Sequence, residues 1–153
     1  MNEKVIIRNS EYKDARSVYR LLCVIAQLHK NGRPDMFKDL TSKYTEQEVA
    51  DRLARADNGV FVAEFNGEVM GYVFCDVIKE GNGNTLYIDD LCVDPNARRM
   101  GIGRMLIDKT KEYAIEKNCD FLMLNVWEFN ENAVRFYEEY GFKTRTRHME
   151  IKL

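Results

Sequence analysis

The sequence lacks any apolar run long enough to cross a lipid bilayer. A membrane-spanning helix needs roughly 18 consecutive apolar residues, and no run in the 153 residues approaches that length. The opening residues, MNEKVIIRNS, also lack the apolar core of a secretion signal. We therefore expect a cytoplasmic protein with no membrane partner.

Metal-binding and disulfide patterns are missing as well. The chain has only two histidines and four cysteines, and the cysteines are widely separated with no C-x-x-C pair: Cys23, Cys75, Cys92 and Cys119. Each cysteine stands among apolar residues, which is typical of buried, reduced thiols. We expect no metal site.

An excess of charge of one sign is also absent. The formal net charge is -2, from 23 basic and 25 acidic residues, so nothing attracts the chain as a whole to nucleic acid. The balance of 45% hydrophobic and 31% charged residues is that of a folded globular protein. We expect one domain, residues 1–153, and no nucleic-acid partner.

Patterns of hydrophobicity indicate the secondary structure. Apolar residues at helical spacing predict a first helix from a cap at Ser10 to about His29, and a second helix follows over about 45–56. Three strands in succession come next, turning at Asn66-Gly67 and near Asn82-Gly83-Asn84. A helix after Pro95, the buried strand DFLMLNVW and a last helix over NENAVRFYEEYGF complete most of the chain.

The C-terminal tail alternates Met149, Ile151 and Leu153 with polar residues, which predicts a final strand. The element order favours the α/β (α+β) class: a single mixed, mostly antiparallel central sheet of about six to seven strands with helices on both faces.

The stretch RRMGIGRML places two glycines, Gly101 and Gly103, at the start of a helix. Glycine there costs roughly 1 kcal/mol against alanine, and bare backbone at a helix start suits a phosphate group. The stretch lacks the third glycine of a dinucleotide fingerprint and the G-K-[ST] of a P-loop. An anion site and simple close packing both remain open at this point.

The segment LCVDPNARRMGIGRMLI resembles the acetyl-CoA-binding motif of the GNAT (GCN5-related) N-acetyltransferases, written R/Q-x-x-G-x-G/A. Arg98, Gly101 and Gly103 occupy its three places, while Arg99 stands where many members have another glycine. A second family signature matches Asn130, Ala133 and Tyr137. The element order resembles the family from the first strand to the last, which implies a sheet splayed between the strands near 85–93 and 120–127.

The resemblance implies acetyl-CoA as co-substrate and no metal. It implies that backbone amides of the glycine loop cradle the pyrophosphate and that the preceding strand pairs with the pantetheine arm. Asn130 caps its helix, and the matching residue of the family often touches the coenzyme, so both readings stay open. The implied cofactor-binding residues are Leu91, Cys92, Val93, Arg98, Arg99, Met100, Gly101, Ile102, Gly103, Arg104, Asn130 and Ala133.

The resemblance also implies that Tyr137 donates a proton to the departing thiolate, although its helical stripe is equally typical of a core residue. A primary ammonium with a pKa near 10.4 needs a base before it can react. The candidates are Asp89 and Asp90, adjacent strand residues that should point to opposite faces, and Glu128. Either aspartate alternatively ends up solvated or paired with an arginine.

In the family, the connection after the first helix overlies the acceptor, which here implies His29, Arg33 and Phe37 together with Asp89 as substrate-binding residues. Arg33 suits a carboxylate, whereas the acids suit a cationic molecule. We expect direct transfer of acetyl from acetyl-CoA to a primary amine in a ternary complex, with a small-molecule acceptor (polyamine, aminoglycoside or amino-acid-like). The alternatives are a protein or peptide acceptor and a non-catalytic acetyl-CoA sensor. A homodimer is compatible with the sequence.

Overall fold

The computed structural model describes residues 4–153. Its strands and helices follow one another along the chain in this order: β1 (Ile6–Asn9), α1 (Ala15–Gly32), α2 (Pro34–Phe37), α3 (Glu46–Leu53), β2 (Val60–Phe65), β3 (Glu68–Glu80), β4 (Gly83–Val93), α4 (Ile102–Glu116), β5 (Phe121–Leu124) and α5 (Glu131–Tyr140). Single 3₁₀ turns precede α1 and follow β4. The mixed α/β class predicted from the sequence is confirmed.

The five strands form one sheet in the order β1-β2-β3-β4-β5. Neighbours pair antiparallel from β1 to β4, and β4 pairs with β5 in parallel over Thr85–Ile88 and Phe121–Leu124. The turn between β2 and β3 has positive φ at Asn66 (51°) and Gly67 (79°). Two such residues form the tight hairpin connection that the Asn-Gly pair predicts.

Two hydrophobic clusters pack against opposite faces of the sheet. One contains Val18, Leu21 and Leu22 of α1 with α3 residues, and the other contains Leu106 and Ile107 of α4. β2 is buried on both faces because it lies between the two clusters. Helices therefore cover both faces, as the sequence predicts.

The start of α1 differs from the prediction. Ser10 does not cap the helix, because a 3₁₀ turn at Tyr12–Asp14 intervenes and α1 begins at Ala15. A reciprocal capping box joins Glu11 to Asp14 instead. α3, predicted over about 45–56, begins with a capping box in which the Thr45 side chain accepts the backbone N–H of Glu48.

The predicted final strand is wrong, so the sheet has five strands instead of six or seven. Met149, Ile151 and Leu153 alternate, but their side chains are 91%, 84% and 111% exposed and contact no apolar layer. Ion pairs hold the tail instead: Arg145 pairs with Glu80, and Glu150 pairs with Arg33. Alternation alone does not make a strand where no neighbouring strand offers hydrogen bonds and no surface buries the apolar side.

Candidate active site

The centre of the candidate site is the place where β4 leaves β5. The register of the pair ends at Ile88 and Leu124, and β4 continues to Val93 beside β3 alone. The segment after Leu124 turns away through Trp127 to the start of α5. Leu91, Cys92 and Val93 therefore lie beside the opening between the two strands, where their main chain is without a strand partner on the β5 side within the described residues.

A β-bulge sits at this point of β4. Phe74 pairs with Asp90 and Cys75 with Ile88, so Asp89 is an extra residue with no partner on β3. The bulge cancels the alternation of side chains across it, and the expectation that Asp89 and Asp90 face opposite sides is wrong. Both carboxylates instead bind tyrosines that pack in the α1–α3 cluster.

Asp90 is the buried acid of the pair. Its side chain is almost wholly enclosed (9% exposed), and the hydroxyl of fully buried Tyr72 donates to its Oδ2 at 2.9 Å. Burial raises the pKa of Asp90 to about 6, while the Tyr72 hydrogen bond and the Lys43 charge act in the opposite direction. A carboxyl group with this pKa is ionised at neutral pH yet basic enough to accept a proton.

Asp89 is bound by residues of the connection between α2 and α3. The Tyr44 hydroxyl donates to its Oδ2, and the Lys43 ammonium lies 2.8 Å from its Oδ1 and 3.1 Å from its main-chain oxygen. Nothing in the sequence pattern indicates Lys43, Tyr44 or Tyr72 as site residues. The register of β4 against β3 and the course of the α2–α3 connection bring these three side chains to the aspartates.

Tyr137 lies on α5, near enough to Asp90 and Cys92 of β4 for their charges to act on it. Its ring packs on Phe136 and Phe142 at centroid distances of 5.2 and 5.6 Å, so the core reading of the stripe holds for the ring. Its hydroxyl has no hydrogen-bond partner in residues 4–153. Burial, with smaller effects from the charges of Asp90 and Cys92, raises its pKa to about 12. The phenol therefore keeps its proton at neutral pH and is available as a donor.

Two other residues named from the sequence, Glu128 and Cys92, differ from the aspartates and Tyr137 in their surroundings. Glu128 lies exposed in the segment between β5 and α5 and makes no ion pair within the described part of the chain. Cys92 is buried, which raises its pKa to about 12. The Cys92 thiol is therefore protonated at neutral pH, and it is a poor nucleophile.

The glycine loop has an open concave start. Gly101 has φ +76°, a left-handed conformation suited to glycine, and a Cβ built on it meets no atom within 4 Å. The first helical bond of α4 runs from Met105 N to Gly101 O at 3.0 Å, so the amides of Ile102, Gly103 and Arg104 precede the helical ladder. These are the groups that bind an anion at a helix start.

Gly103 serves packing as well. A Cβ at Gly103 would lie 3.2 Å from Cζ of Phe136, so α4 and α5 approach closely at this point. Ile102 is buried in the core through its side chain. Arg98, Arg99 and Met100 are exposed, and neither arginine pairs with a carboxylate among residues 4–153. Close packing therefore accounts for a glycine at 103, whereas the left-handed backbone accounts for a glycine at 101.

Arg104 and Asn130 complete the surroundings of the loop. The Arg104 guanidinium lies over the Tyr140 ring at 5.2 Å and carries its positive charge at the start of α4. Asn130 caps α5, accepting the N–H of Ala133 at 3.4 Å. The start of α4 thus combines amides outside the helical ladder with positive charge, and both favour an anion.

An aromatic cluster lies between α1, α2 and the segment after β5, where the resemblance implies the acceptor. The rings of His29, Phe37, Trp127 and Phe129 lie 5.6 to 6.4 Å apart in successive pairs. Gly32 permits this, because a Cβ there would lie 2.2 Å from the Phe129 ring. Burial, and then the Lys43 charge, lowers the pKa of His29.

Arg33 lies at the same cluster but is already paired. Its guanidinium is over the Trp127 ring at 5.5 Å and binds Asp35 at 2.8 Å and Glu150 at 2.6 Å. Two carboxylates neutralise its charge. The sequence-based role for Arg33, binding of a substrate carboxylate, therefore has no free cation in this arrangement.

Comparison with known proteins decides the family. Residues 25–142 match the model of the acetyltransferase (GNAT) family. The chain belongs to the GNAT family. A thialysine N-epsilon-acetyltransferase of Bos taurus is 36% identical over 93% of this chain and 86% of the relative. YhfO of Bacillus subtilis, an uncharacterized N-acetyltransferase, is 31% identical over 92% and 91% of the two chains. An archaeal N-acetyltransferase from Methanocaldococcus jannaschii is 35% identical, but the match spans only 42% of its length.

Solved structures agree with the GNAT assignment. BH1408 of Bacillus halodurans, as a tetramutant, superposes with a TM-score of 0.83 at 27% identity over 97% of this chain and 99% of the other. The aminoglycoside acetyltransferase AAC(6')-Iy in complex with CoA gives a TM-score of 0.74 at 15% identity, covering 100% and 97% of the chains, which shows the shared fold. This GNAT protein is an acetyl-CoA-dependent N-acetyltransferase.

None of the GNAT helices described between residues 4 and 153 is long and apolar enough to cross a membrane. Within the same residues, no group of three or more histidine, cysteine, aspartate or glutamate side chains is placed to hold a metal ion.

Proposed function

We propose that this GNAT enzyme acetylates the primary amine of a small cationic molecule, with Asp90 as general base and Tyr137 as general acid. The observation that carries the proposal is the buried Asp90 carboxyl, with a pKa of about 6, beside an open sheet edge and an unpartnered tyrosine hydroxyl. Acetyl-CoA supplies the activated acetyl group when it is bound along that edge.

Each part of the proposed site has a separate role in the reaction. The amides at the start of α4 hold the pyrophosphate, and the main chain of Leu91 to Val93 aligns the pantetheine arm. Asp90 takes a proton from the acceptor ammonium, directly or through water. Tyr137, held neutral by burial, donates a proton to the sulfur as it leaves. Cys92 remains a protonated thiol throughout.

The charges at the acceptor side support a cationic substrate. Asp90 and exposed Glu128 carry no ion pair within residues 4–153, and Asp89 already binds one ammonium, that of Lys43, whereas Arg33 is neutralised by two carboxylates. The aromatic faces of Trp127 and its neighbours suit both an ammonium group and an aliphatic chain. The relation to a thialysine acetyltransferase supports a small amine as acceptor, because that relative is similar along most of both chains.

A panel of acceptors tests the proposal. The purified enzyme and acetyl-CoA are incubated with a linear diamine, the matching monoamine, the matching amino acid and a peptide with a free N-terminus, and thiol release is followed. We expect the diamine to be turned over with the highest kcat/KM. Acetylation of the peptide with no turnover of any small amine would contradict the proposal and favour a protein acceptor.

Tyr137→Phe tests the acid. We expect kcat to fall roughly 10²- to 10⁴-fold, the usual contribution of general acid–base catalysis, while coenzyme A still binds. Tyr140→Phe is the matched control, because it also removes a tyrosine hydroxyl from α5. That hydroxyl donates to Asp108 Oδ1 at 2.6 Å and does not take part in the proposed chemistry. Equal losses in the two variants would remove Tyr137 from the mechanism.

A further inference from the structure

We propose that Lys43 is an internal acceptor, and that its Nζ is acetylated by the active site of its own chain. The proposal rests on the proposed function. Its basis is the position of the Lys43 ammonium, which lies 2.8 Å from Oδ1 and 3.1 Å from the main-chain oxygen of Asp89. An amine of the chain thus occupies the acidic end of the acceptor site.

The neighbours of this ammonium are the residues expected around a substrate amine. Its charge acts on Asp90, adjacent to Asp89, and on His29 in the aromatic cluster. It also lies 5.7 Å from the centre of the Tyr44 ring. A carboxylate and an aromatic face therefore contact the Lys43 ammonium, as they would contact a bound primary ammonium.

The position is specific to one lysine. Other ion-paired lysines of the described chain bind carboxylates elsewhere: Lys13 binds Glu11, Lys109 binds Glu112 and Lys117 binds Asp57. Lys38 is exposed on the same connection between α1 and α3, without an ion pair among residues 4–153. Within those residues, Lys43 alone brings an ammonium to a carboxylate of β4.

The transfer balances in the same way as with a free amine. The ammonium gives one proton to Asp90, and its lone pair forms a bond with the acetyl carbon while the C–S bond of the thioester breaks. The second proton lost from nitrogen matches the one that the thiolate takes up through Tyr137. The products are Nε-acetyl-Lys43, free coenzyme A and a proton released from Asp90.

Acetylation would change the site that performs it. The amide carries no charge, so Asp89 loses its ion pair with Lys43. The two carboxylates then face the acceptor side without an internal cation. Modified enzyme is therefore expected to bind a diamine more tightly than unmodified enzyme.

The main experiment uses purified full-length enzyme and isotopically labelled acetyl-CoA, because the isotope separates this reaction from acetylation in the expression host. Peptide mass spectrometry follows the label on Lys43 and on Lys38. We expect roughly tenfold or more label on Lys43, since the held amine has a high effective concentration. The rate should not depend on protein concentration, and Tyr137→Phe should abolish it.

Equal labelling of the two lysines, or labelling of Lys43 that survives in Tyr137→Phe, would overturn the proposal in favour of direct chemical acetylation. Lys43→Arg and Lys38→Arg are the matched variants, and only the first should remove the label. Turnover of a diamine with no label on Lys43 would overturn the inference and leave the proposed function intact. No turnover of any amine and no label would overturn both.

The placement of Lys43 is tested without coenzyme by reductive methylation. We expect Lys43 to react several times more slowly than Lys38, because its ammonium is held by Asp89. Asp89→Asn should remove the difference. Equal rates in the wild-type enzyme would show that the ion pair does not form in solution and would overturn the proposal.

Discussion

Tyr72→Phe should move the pH dependence of the enzyme without removing its activity. The Tyr72 hydroxyl donates to Asp90 Oδ2 at 2.9 Å, and both side chains are buried. The hydrogen bond favours the ionised carboxylate, so its loss raises the pKa of Asp90 further from its present value of about 6. Lys43, Asp89, Cys92 and Tyr137 also face this carboxyl, and the substitution leaves them unchanged.

The expected rise in the Asp90 pKa follows from the free energy of its hydrogen bond with Tyr72. A hydrogen bond to a charged group contributes about 1.5–3 kcal/mol, and 1.36 kcal/mol corresponds to one pKa unit, which gives an Asp90 pKa between about 7 and 8 in the variant. The base works only when ionised, so activity is lost as pH falls through this pKa. At pH 6, kcat/KM should be roughly five to fifty times lower than in the wild type, and above pH 9 nearly equal.

The assay is kcat/KM for the best amine between pH 5 and 9.5, with thermal unfolding measured in parallel to establish that the variant folds. Tyr113→Phe is the matched control, because it removes a tyrosine–carboxylate bond of 2.8 Å to Asp57, which involves neither aspartate of β4. A fall of equal size at every pH, with no movement of the acid limb, would refute the reasoning about Asp90.

Two further predictions concern the loop and the fold. Gly101→Asp should weaken coenzyme A binding roughly tenfold or more, because it blocks backbone–phosphate hydrogen bonds of about 1.5–3 kcal/mol each. Gly81→Asp is the control, because Gly81 has φ +60° and equally open surroundings, so the substitution introduces the same backbone strain. Its affinity for coenzyme A, measured by calorimetry, should equal that of the wild type. Equal affinities of the two variants for coenzyme A would refute the phosphate role of the loop. Arg8→Ala should cost about 3–5 kcal/mol in urea unfolding at pH 7, because it leaves buried Asp14 without its bidentate partner. Burial raises the pKa of Asp14 but Arg8 outweighs it, so the net pKa is lowered and the pair's contribution disappears as pH falls and Asp14 protonates; a deficit that does not shrink in acid would contradict this.

The helices and the hairpins could be predicted from the sequence because their signals are local. Val18, Leu21 and Leu22 recur at helical spacing, and Asn66-Gly67 specifies a two-residue turn. The tail could not be predicted, because a strand needs a partner and its apolar residues found none. The alternation in that segment says only which side chains would share a face.

The candidate site could be outlined from the sequence only in part. Motifs named Gly101, Asn130 and Tyr137 as candidates, whereas the relation between Asp89 and Asp90 depended on the register of β4 against β3. Tyr72 and Lys43 were missed because hydrogen bonds between residues 18 and 46 positions apart leave no spacing pattern in a sequence. The sequence placed Arg33 beside the expected acceptor, but its neutralisation by Glu150 of the tail was not foreseeable.

The bulge in β4 has a consequence for comparing this chain with its relatives. A strand with one residue fewer at this place would present a single acid to the α1–α3 side, and its next residue would face the α4 side. Column-by-column comparison across such a length difference would equate side chains that face different layers. Equivalence of acids among these enzymes is therefore a matter of which tyrosine or lysine holds each carboxylate, and the position number alone does not establish it.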